Sequence, residues 1–478
     1  MFFDSHAHLD RRSFGDEVEA VVARAAEAGV VGIVAIGSGA TGADMTEAVE
    51  CARRHPGADG RGPPIRAAVG VHPHEADRAG PEAWETLARL VGEPEVVAVG
   101  ETGLDFHYAF SSREGQVAAF RRQIGVATAA GLPLVVHCRE AEAACLEVLR
   151  SVPLPDPPGV IHCFTSGAEA ARAWRDMGFL LSIPGVVTFR NAEPLLDAVR
   201  SLPVDALLVE TDSPYLAPVP FRGRRNEPAH VRHTVEAIAA LKCLSVEDVA
   251  RVTRVNAERL FGIAAEGASA PRLAYVIRDS LYVNMTNRCT LRCTFCGKHR
   301  RARGPGSDYT VKGHDLRVGR DPPVEAIVAA IEAEDPGRRS EVVFCGYGEP
   351  LLRLDDVRAI AGGLKAGRPG VRIRVNTDGL ASLVHGRDVP AELAGLVDVV
   401  SVSLNAPDAA TYARICPSRH GEAAFHAVCD FLRRAREVLP EVWATAVALP
   451  GLDVEACRRL AEATLGVRFR ARPYDDVG

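Results

Sequence analysis

An alternation of short apolar runs with amphipathic segments fills the first half of the chain and limits the folds open to it. Strands buried on both faces are near-continuous apolar runs, whereas helices repeat apolar residues every three or four positions. The apolar runs predict eight strands, near residues 2–5, 30–36, 65–71, 96–100, 132–136, 159–161, 179–182 and 206–209. Eight β-α repeats in about 260 residues predict a (β/α)8 TIM barrel, whose functional groups gather at the carboxyl ends of the strands.

Residue types that bind metals stand at these strand ends. His6 and His8 close the first strand two residues apart, so both can face one cavity. The ends of the fourth, fifth, sixth and eighth strands add Glu101, His137, His162 and Asp212. Four imidazoles and two carboxylates exceed the ligands of one tetrahedral ion, which predicts two divalent ions bridged by a carboxylate and a water. His72 and His74 end the third strand and either support this site, contact substrate or are purely structural.

The motifs of this half resemble the TatD family of metal-dependent hydrolases, which are described as deoxyribonucleases. They include Asp4-Ser5-His6-Ala7-His8 and Gly100-Glu101-Thr102-Gly103-Leu104-Asp105. Further resembling segments are 70–74, 162–164, 210–214, 222–228 and 256–262, so the resemblance covers the first 262 residues. It implies two divalent ions (magnesium, zinc or manganese), one held by His6, His8, Glu101 and Asp212, the other by Glu101, His137 and His162.

The resemblance also implies roles in phosphodiester hydrolysis. Two ions lower the pKa of a shared water and neutralise charge on an attacked phosphate. Asp212 and Glu101 are then the catalytic carboxylates, Asp212 as the base that orients and deprotonates the water and Glu101 as the bridge. Arg139 and Arg225, the latter in an arginine cluster at 222–225, are candidate phosphate contacts, and a solvated charged surface is the alternative.

Small residues ending at Pro271 have the composition of a linker. They predict a first domain at 1–263, a linker at 264–272 and a second domain at 273–478. Six further apolar runs follow, near residues 281–285, 342–344, 372–375, 399–403, 442–447 and 467–471. Helical stretches separate these runs, and six β-α units predict a partial (β/α)6 barrel.

Three cysteines, Cys289, Cys293 and Cys296, follow the first of these strands with C-x3-C-x2-C spacing. Three thiolates on one short loop can hold three irons of a [4Fe-4S] cubane and leave the fourth iron open. A zinc site completed by His299 is the alternative. The partial barrel favours the cluster, since zinc knuckles seldom accompany one.

The second half resembles the radical S-adenosylmethionine superfamily, and specifically the radical SAM proteins associated with TatD. The cysteine loop and the turn Gly346-Tyr347-Gly348-Glu349-Pro350 are the strongest marks, although Tyr347 stands where a glycine is common. The resemblance implies a cluster on the three cysteines, with S-adenosylmethionine at the fourth iron. It places Gly346, Gly348 and Glu349 near the methionine amino group, and Asn376, Ser403 and Asn405 near the carboxylate or ribose.

Charge, apolar runs and cysteine content indicate the partners and the cellular location of the protein. A net charge of -6 supports no extended nucleic-acid interface, although a short basic segment can still hold a few phosphates. No apolar run is long enough to span a bilayer, and the start of the chain lacks a signal-peptide pattern. Three of the twelve cysteines cluster, which favours metal chemistry in a reducing compartment. We therefore expect a cytoplasmic protein without a membrane partner.

The function expected from the sequence is a bifunctional enzyme. The first domain would hydrolyse phosphodiester bonds of DNA or a nucleotide-like substrate, and the second would generate a 5'-deoxyadenosyl radical with an electron donor for the cluster. Within the same class, the barrel could instead hydrolyse another ester or an amide on a nucleotide-like or tRNA-linked substrate. An inactive barrel that serves as a scaffold for the radical domain is a third possibility, which the intact ligand set argues against.

Overall fold

Short runs of valine, isoleucine, leucine and alanine form the strands of the first unit, because both faces of each strand are buried. The computed structural model describes residues 1–57, 62–108, 110–263, 271–298 and 309–474. It divides into two units, Met1–Ala268 and Ser269–Gly478. Most of the expected linker, residues 264–270, lies outside the described residues. In the described ranges, no helix has the length and apolarity needed to cross a membrane.

The first unit is a parallel eight-stranded barrel, which confirms the predicted fold. Its strands are β1 (Phe2–Ala7), β2 (Val30–Ser38), β3 (Ile65–Gly70), β4 (Val96–Asp105), β5 (Leu134–Arg139), β6 (Gly159–Ile161), β7 (Leu180–Ile183) and β8 (Leu207–Val209). They pair in chain order from β1 to β8. A bridge between Ala7 and Ser213, with a 2.8 Å hydrogen bond from the His8 N–H to the Ser213 carbonyl, closes the barrel.

Ten helices surround the barrel in the part of the chain that the structure describes. They are α1 (Arg11–Phe14), α2 (Val18–Glu27), α3 (Ala43–Arg54), α4 (Pro81–Leu90), α5 (Arg113–Ala130), α6 (Glu142–Arg150), α7 (Ala168–Asp176), α8 (Glu193–Ser201), α9 (Val231–Lys242) and α10 (Val246–Leu260). Inside the barrel, Phe3, Val34 and Val135 pack with Leu260 and Phe261 from the end of α10. This packing fills the amino-terminal half of the barrel, so the open mouth lies at the carboxyl ends of the strands.

Among the described residues, the second unit contains the six predicted parallel strands and three short strands that were not predicted. Its strands are β9 (Ala274–Ile277), β10 (Ser280–Val283), β11 (Thr310–Val311), β12 (His314–Asp315), β13 (Glu341–Phe344), β14 (Ile373–Thr377), β15 (Val399–Ser403), β16 (Glu441–Val447) and β17 (Arg468–Arg472). The main sheet has the order β17-β16-β15-β14-β13-β10-β9, and β11 pairs with β12 separately. Within the main sheet, β9 alone runs antiparallel to its neighbour. Its turn at Arg278 and Asp279 lacks the glycine that usually marks a two-residue hairpin.

Helices cover one face of this sheet. They are α11 (Val324–Ala333), α12 (Leu354–Gly367), α13 (Ala381–His385), α14 (Val389–Leu393), α15 (Ala409–Ile415), α16 (Ala423–Val438) and α17 (Val454–Arg459), the last followed by a π-helical turn. Phe344, Val375 and Val402 of the sheet pack with Leu364 and Phe431 of the helices. The unit is therefore an open α/β barrel, with six parallel strands as expected.

A buried glutamine connects α5 to the segment that follows β3. The Gln123 carboxamide accepts a 2.8 Å hydrogen bond from the Val71 N–H and donates to the Val71 carbonyl at 2.9 Å and the Thr102 hydroxyl at 2.7 Å. In Gln123→Leu these buried backbone groups lose their partners, and we expect the free energy of unfolding to fall by about 2–4 kcal/mol. Urea unfolding followed by fluorescence of Trp84 and Trp174, with Trp443 replaced by Phe, reports on the first unit.

The matched control for this change is Arg121→Leu, which replaces an exposed side chain on the same helix. It should change the free energy of unfolding by no more than about 0.5 kcal/mol. Equal midpoints for the two variants would contradict a structural role for the Gln123 hydrogen bonds.

Candidate active sites

The two oxygens of Glu101 face different sets of side chains at the barrel mouth. Its Oε2 lies 3.6 Å from His6 Nε2 and 3.7 Å from His8 Nε2. The Asp212 Oδ1 atom lies 3.6 Å from each of the same two nitrogens. These four residues, which come from the ends of β1, β4 and β8, therefore surround one point.

The spacing of this first set fits a divalent ion. Ligand atoms about 2.1 Å from a tetrahedral ion lie about 3.4 Å apart, close to the distances between the imidazole nitrogens and carboxylate oxygens here. Both ring nitrogens of His6 are buried and have no hydrogen-bond partner in the described structure. Since a buried imidazole needs a partner, a metal ion is the natural one.

The Oε1 atom of Glu101 faces the second set. It lies 2.8 Å from His137 Nδ1, 2.7 Å from His162 Nε2 and 3.2 Å from His72 Nε2. These three distances are in the hydrogen-bond range. The remaining nitrogen of His162, Nδ1, lies 3.6 Å from a Glu210 oxygen and is otherwise without a partner among the described atoms. Glu101 thus lies between two sets of side chains that could bind metal ions.

Local backbone features hold these ligands. Asp4 accepts hydrogen bonds from the Thr211 N–H at 2.9 Å and the Thr211 hydroxyl at 2.6 Å, and so ties β1 to the segment carrying Asp212. Burial raises the pKa of Asp4 to about 8. At Gly103, with φ +139°, a Cβ atom would lie 2.0 Å from the His137 carbonyl oxygen. Only glycine lets β4 approach β5 this closely.

Asp105 supports the second set and was not assigned a role from the sequence. Its Oδ2 lies 3.1 Å from His137 Nε2 and 2.7 Å from His74 Nε2, and the side chain is fully buried. A carboxylate on the far nitrogen of a ligating imidazole fixes its orientation. The available signal was its position four residues after Glu101 on the same strand. His74 therefore supports the site through Asp105, whereas His72 contacts Glu101 directly.

The electrostatics favour an ionised carboxylate at the centre. Burial opposes ionisation of Glu101, but His162 and His72 outweigh it and hold its pKa well below the usual value. Burial also opposes protonation of His162, yet Glu101 and Glu210 outweigh it and raise the pKa of His162 well above the usual value. Burial, followed by the nearby His162, lowers the pKa of His6. The buried Glu101 carboxylate is therefore ionised and needs positive charge beside it.

The two arginines predicted to contact phosphate have different surroundings. Arg139 ends β5, is exposed, and lies over the Tyr108 ring at 4.6 Å from its centroid. Arg225 forms a 2.5 Å ion pair with Glu17 and lies over the ring of Phe14. Arg139 is thus the more available of the two for an anion at the barrel mouth.

Comparison with protein families identifies the barrel. The model described as TatD related DNase matches residues 3–262, more than half of the chain. The chain belongs to the TatD family. Metal-dependent hydrolase YcfH of Escherichia coli K12, itself uncharacterised, is 42% identical over 266 residues, covering 55% of this chain and 96% of its own. The protein named 3'-5' ssDNA/RNA exonuclease TatD from Erwinia amylovora is 36% identical, covering 55% and 100%.

A solved TatD structure has the same fold as this barrel. The TatD homologue YjjV of Escherichia coli K12 superposes with a TM-score of 0.50 at 27% sequence identity. The match covers 55% of this chain and 98% of that one. The TatD unit is therefore a metal-dependent hydrolase barrel, and the side chains converging at its mouth are candidate metal ligands.

In the second unit, backbone hydrogen bonds hold the cysteine loop. Bonds of 2.8 and 2.9 Å from the N–H groups of Arg292 and Thr294 reach the carbonyls of Pro417 and Ile415. The loop carries three half-buried thiols, Cys289, Cys293 and Cys296. Burial, followed by the nearby Asp378, raises the pKa of Cys289. Because only the thiolate binds iron, cluster binding would have to displace this proton.

The spacing of the three cysteine sulfurs differs from that of a tetrahedral zinc site. A tetrahedral zinc with Zn–S bonds of ~2.3 Å holds its sulfurs about 3.8 Å apart. Among the described residues, the groups whose ligand atoms all lie within 4.8 Å of one another come from the TatD barrel and do not include the three cysteines. His299, the proposed fourth zinc ligand, lies outside the described residues.

The glycine turn after β13 packs against the chain leading into the cysteine loop. A Cβ atom at Gly348 would lie 2.2 Å from the Thr286 carbonyl oxygen, and one at Gly346 would lie 2.5 Å from Asn284 Oδ1. Glu349 is buried and accepts hydrogen bonds from the Thr377 hydroxyl at 2.8 Å and from the backbone N–H groups of Leu351 and Asp378. Through these hydrogen bonds the Glu349 carboxylate holds the turn in place.

The other residues expected near S-adenosylmethionine lie at the ends of neighbouring strands. Asn376 is on β14 and has a buried Oδ1 without a hydrogen-bond partner in the described structure. Ser403 ends β15. Asn405 is buried, donates to Cys416 Sγ at 3.7 Å, and accepts from the Val447 N–H at 3.3 Å. Asn376 thus has free hydrogen-bonding capacity, whereas the side chain of Asn405 is occupied.

The radical SAM superfamily model matches residues 283–463, which confirms the second resemblance. This family implies a [4Fe-4S] cluster, S-adenosylmethionine and a reductant. The chain thus joins a TatD hydrolase unit to a radical SAM unit, and both indicate enzymatic activity.

Replacing Asp105 by Asn tests how the second ligand set is oriented. The Oδ1 position accepts from the Tyr108 N–H at 2.9 Å, so the new amide NH2 would face His74 and His137. We expect affinity for one of the two ions to fall about 10–100-fold because His137 loses its orienting carboxylate. Competition with a zinc-binding dye measures this affinity.

The control for this experiment is Glu140→Gln. Glu140 is exposed and pairs with His107 Nδ1 at 2.7 Å, near the same rim. Its metal affinities should match those of the unmodified protein. Two unaltered binding steps in Asp105→Asn would refute the orienting role.

Proposed function

We propose that the protein is a bifunctional enzyme, in which the TatD barrel is a two-metal phosphodiesterase and the second unit is a radical SAM enzyme. The observation that supports the first assignment is the position of Glu101 between two sets of imidazoles. His6, His8 and Asp212 would share one ion with it, and His137 and His162 the other. Bound ions would lower the pKa of a shared water and neutralise charge on the phosphate.

The side chains around the ions would orient the reactants. Asp212 stands at the edge of the site, with 12% of its side chain exposed, so it can reach a water that enters from the mouth. It would hold that water by a hydrogen bond and accept its proton. Arg139, also at the mouth, would bind a phosphate oxygen through its guanidinium group. Arg225 would contribute only after leaving Glu17.

A single-stranded substrate agrees with the aromatic side chains beside the site. Tyr108 and Phe110 are 47% and 66% exposed, and their rings stack 5.6 Å apart and 6° from parallel. Phe110 also lies edge-on to His74 at 4.9 Å, next to the Asp105 carboxylate. Unpaired bases stack on exposed aromatic rings, whereas paired bases cannot. A relative named as an ssDNA/RNA exonuclease supports the same substrate class.

In the second unit, Cys289, Cys293 and Cys296 would hold a [4Fe-4S] cluster whose open iron binds S-adenosylmethionine. Gly346, Gly348 and Glu349 would lie near the methionine amino group of the cofactor, with Asn376, Ser403 and Asn405 near its carboxylate or ribose. When bound and reduced by an external donor, the cluster would supply the electron that cleaves S-adenosylmethionine into methionine and a 5'-deoxyadenosyl radical. A cytoplasmic location agrees with twelve free cysteines and with this redox chemistry.

The Glu101→Ala variant tests the hydrolase assignment. Removing the bridging carboxylate should abolish metal-dependent cleavage of a single-stranded oligonucleotide, with a loss of at least about a thousandfold. The assay follows release of nucleotides in the presence of Mg²⁺, Mn²⁺ or Zn²⁺, with EDTA as the metal-free reference. Glu82→Ala, on the exposed surface of α4, should retain full activity.

Retained activity in Glu101→Ala would refute the two-metal assignment. A duplex oligonucleotide is the second arm, and equal rates on duplex and single strand would contradict the role of Tyr108 and Phe110. Activity on a nucleotide-linked ester or amide, but on no phosphodiester, would favour the alternative hydrolase.

The Cys293→Ala variant tests the radical assignment. Losing one of three ligands should leave the anaerobically purified protein with little iron and sulfide, and without 5'-deoxyadenosine formation from S-adenosylmethionine and a reductant. Cys243→Ser, an exposed thiol of the TatD unit, should keep both. A colourless, zinc-loaded unmodified protein would rule out the radical assignment.

A further inference from the structure

The two faces of the radical SAM sheet differ in chemistry. The face toward the helices is apolar and includes Phe344, Val375 and Val402. On the opposite face, register pairs Ser403 with Thr445 and Thr445 with Arg470, in one row across β15, β16 and β17. Burying this row of polar side chains in an apolar core would be unfavourable, so this face suits a polar ligand.

This polar face carries excess positive charge. Counting only the described residues, it presents five arginines, Arg372, Arg374, Arg468, Arg470 and Arg472, against two glutamates, Glu341 and Glu441. The glutamates are already paired, Glu341 with Arg374 at 2.9 Å and Glu441 with Arg372 at 2.5 Å and Arg468 at 3.1 Å. The excess resides on the edge strand β17.

Arg470 and Arg472 are the arginines of this face whose charge is not balanced by a carboxylate in the described structure. Across the described ranges, neither forms a salt bridge with a carboxylate. The Nε atoms of Arg472 and Arg374 are buried without a hydrogen-bond partner in that same part of the chain. Burial, together with the neighbouring Arg470, lowers the pKa of Arg472. Arg470 is exposed to water, whereas the buried Nε donors of Arg472 and Arg374 are unfavourable unless an acceptor such as an anion reaches them.

A cavity of about 180 Å³ opens on this face. Arg374, Ser401, Trp443, Thr445 and Arg470 are among the residues that line it. About 10–15 Å³ of such space holds one water, so the cavity has room for a group of several non-hydrogen atoms. Its lining offers guanidinium and hydroxyl donors.

We propose that this cavity binds an oxyanion, a phosphate or carboxylate group carried by the substrate of the radical SAM unit. Guanidinium forks match both groups through paired N–H donors. This assignment rests on the proposed radical function only for calling the ligand a substrate. The binding site itself follows from the cavity, from Arg374 and Arg470 in its lining, and from Arg472 two residues further along the same strand.

The register also brings the anion close to the proposed chemistry. Arg470 lies two strands from Ser403 in the same row, or about 10 Å at ~4.8 Å per strand. Ser403 is one of the residues proposed to lie near S-adenosylmethionine. A small substrate anchored by its anion at Arg470 would span this distance and present its other end to the radical.

The experiment is isothermal titration calorimetry with the full-length protein in a Glu101→Ala background, which removes the bridging ligand of the TatD metal site. Pyrophosphate and malonate are the two probes, and the tighter one identifies the phosphate or carboxylate class. We expect saturable binding of at least one probe, weakened about tenfold or more in Arg470→Gln and in Arg472→Gln. Arg468→Gln, already paired with Glu441, should change affinity no more than about twofold.

Two results would overturn the proposal. One is the absence of saturable binding of either probe, and the other is equal weakening in Arg468→Gln, which would indicate diffuse attraction to a basic surface. Circular dichroism and thermal melting of each variant exclude misfolding as the cause. Failure of 5'-deoxyadenosine formation alongside intact anion binding would refute the radical function and leave this site standing.

Discussion

The candidate metal site of the TatD barrel is arranged around one buried carboxylate. An ionised glutamate removed from water is costly unless cations or donors surround it. Glu101 meets this condition with imidazoles supplied by β1, β5 and the segment after β6. The imidazoles that make its burial tolerable also form two sets of candidate metal ligands, one facing each carboxylate oxygen. The stability of this centre and its suitability for metal therefore have a common origin.

The two units use their sheets in opposite ways. The TatD barrel fills its interior with side chains such as Phe3 and Val135 and confines its polar groups to the mouth. The radical SAM sheet is open at β17, and its polar face runs along the strands instead of stopping at their ends. An open sheet can thus bind a ligand along a face, whereas the filled interior of the TatD barrel leaves its mouth for a ligand.

Residues that hold the candidate ligands in place, without binding metal themselves, were the hardest to recognise from the sequence. Asp105 and Asp4 belong to motifs visible in the sequence, but their partners, His137 and Thr211, lie 32 and 207 residues away. The same limit applies to Arg470 and Arg472, whose alternation on an edge strand looks like an ordinary solvated surface. Local spacing reveals a ligand type, but the hydrogen bond that orients it joins distant segments.

The sequence alone determined the order of strands and helices, both families and the residue types at the strand ends, because apolar periodicity and motif spacing are local properties. It did not reveal β9, whose turn lacks glycine, nor that Arg225 pairs with Glu17 while Arg139 stays exposed. Tertiary structure alone decided which oxygen of Glu101 faces which imidazole and which arginines lack a carboxylate. Those outcomes depend on how sheets close and pair across long sequence separations, and no short stretch of chain records that geometry.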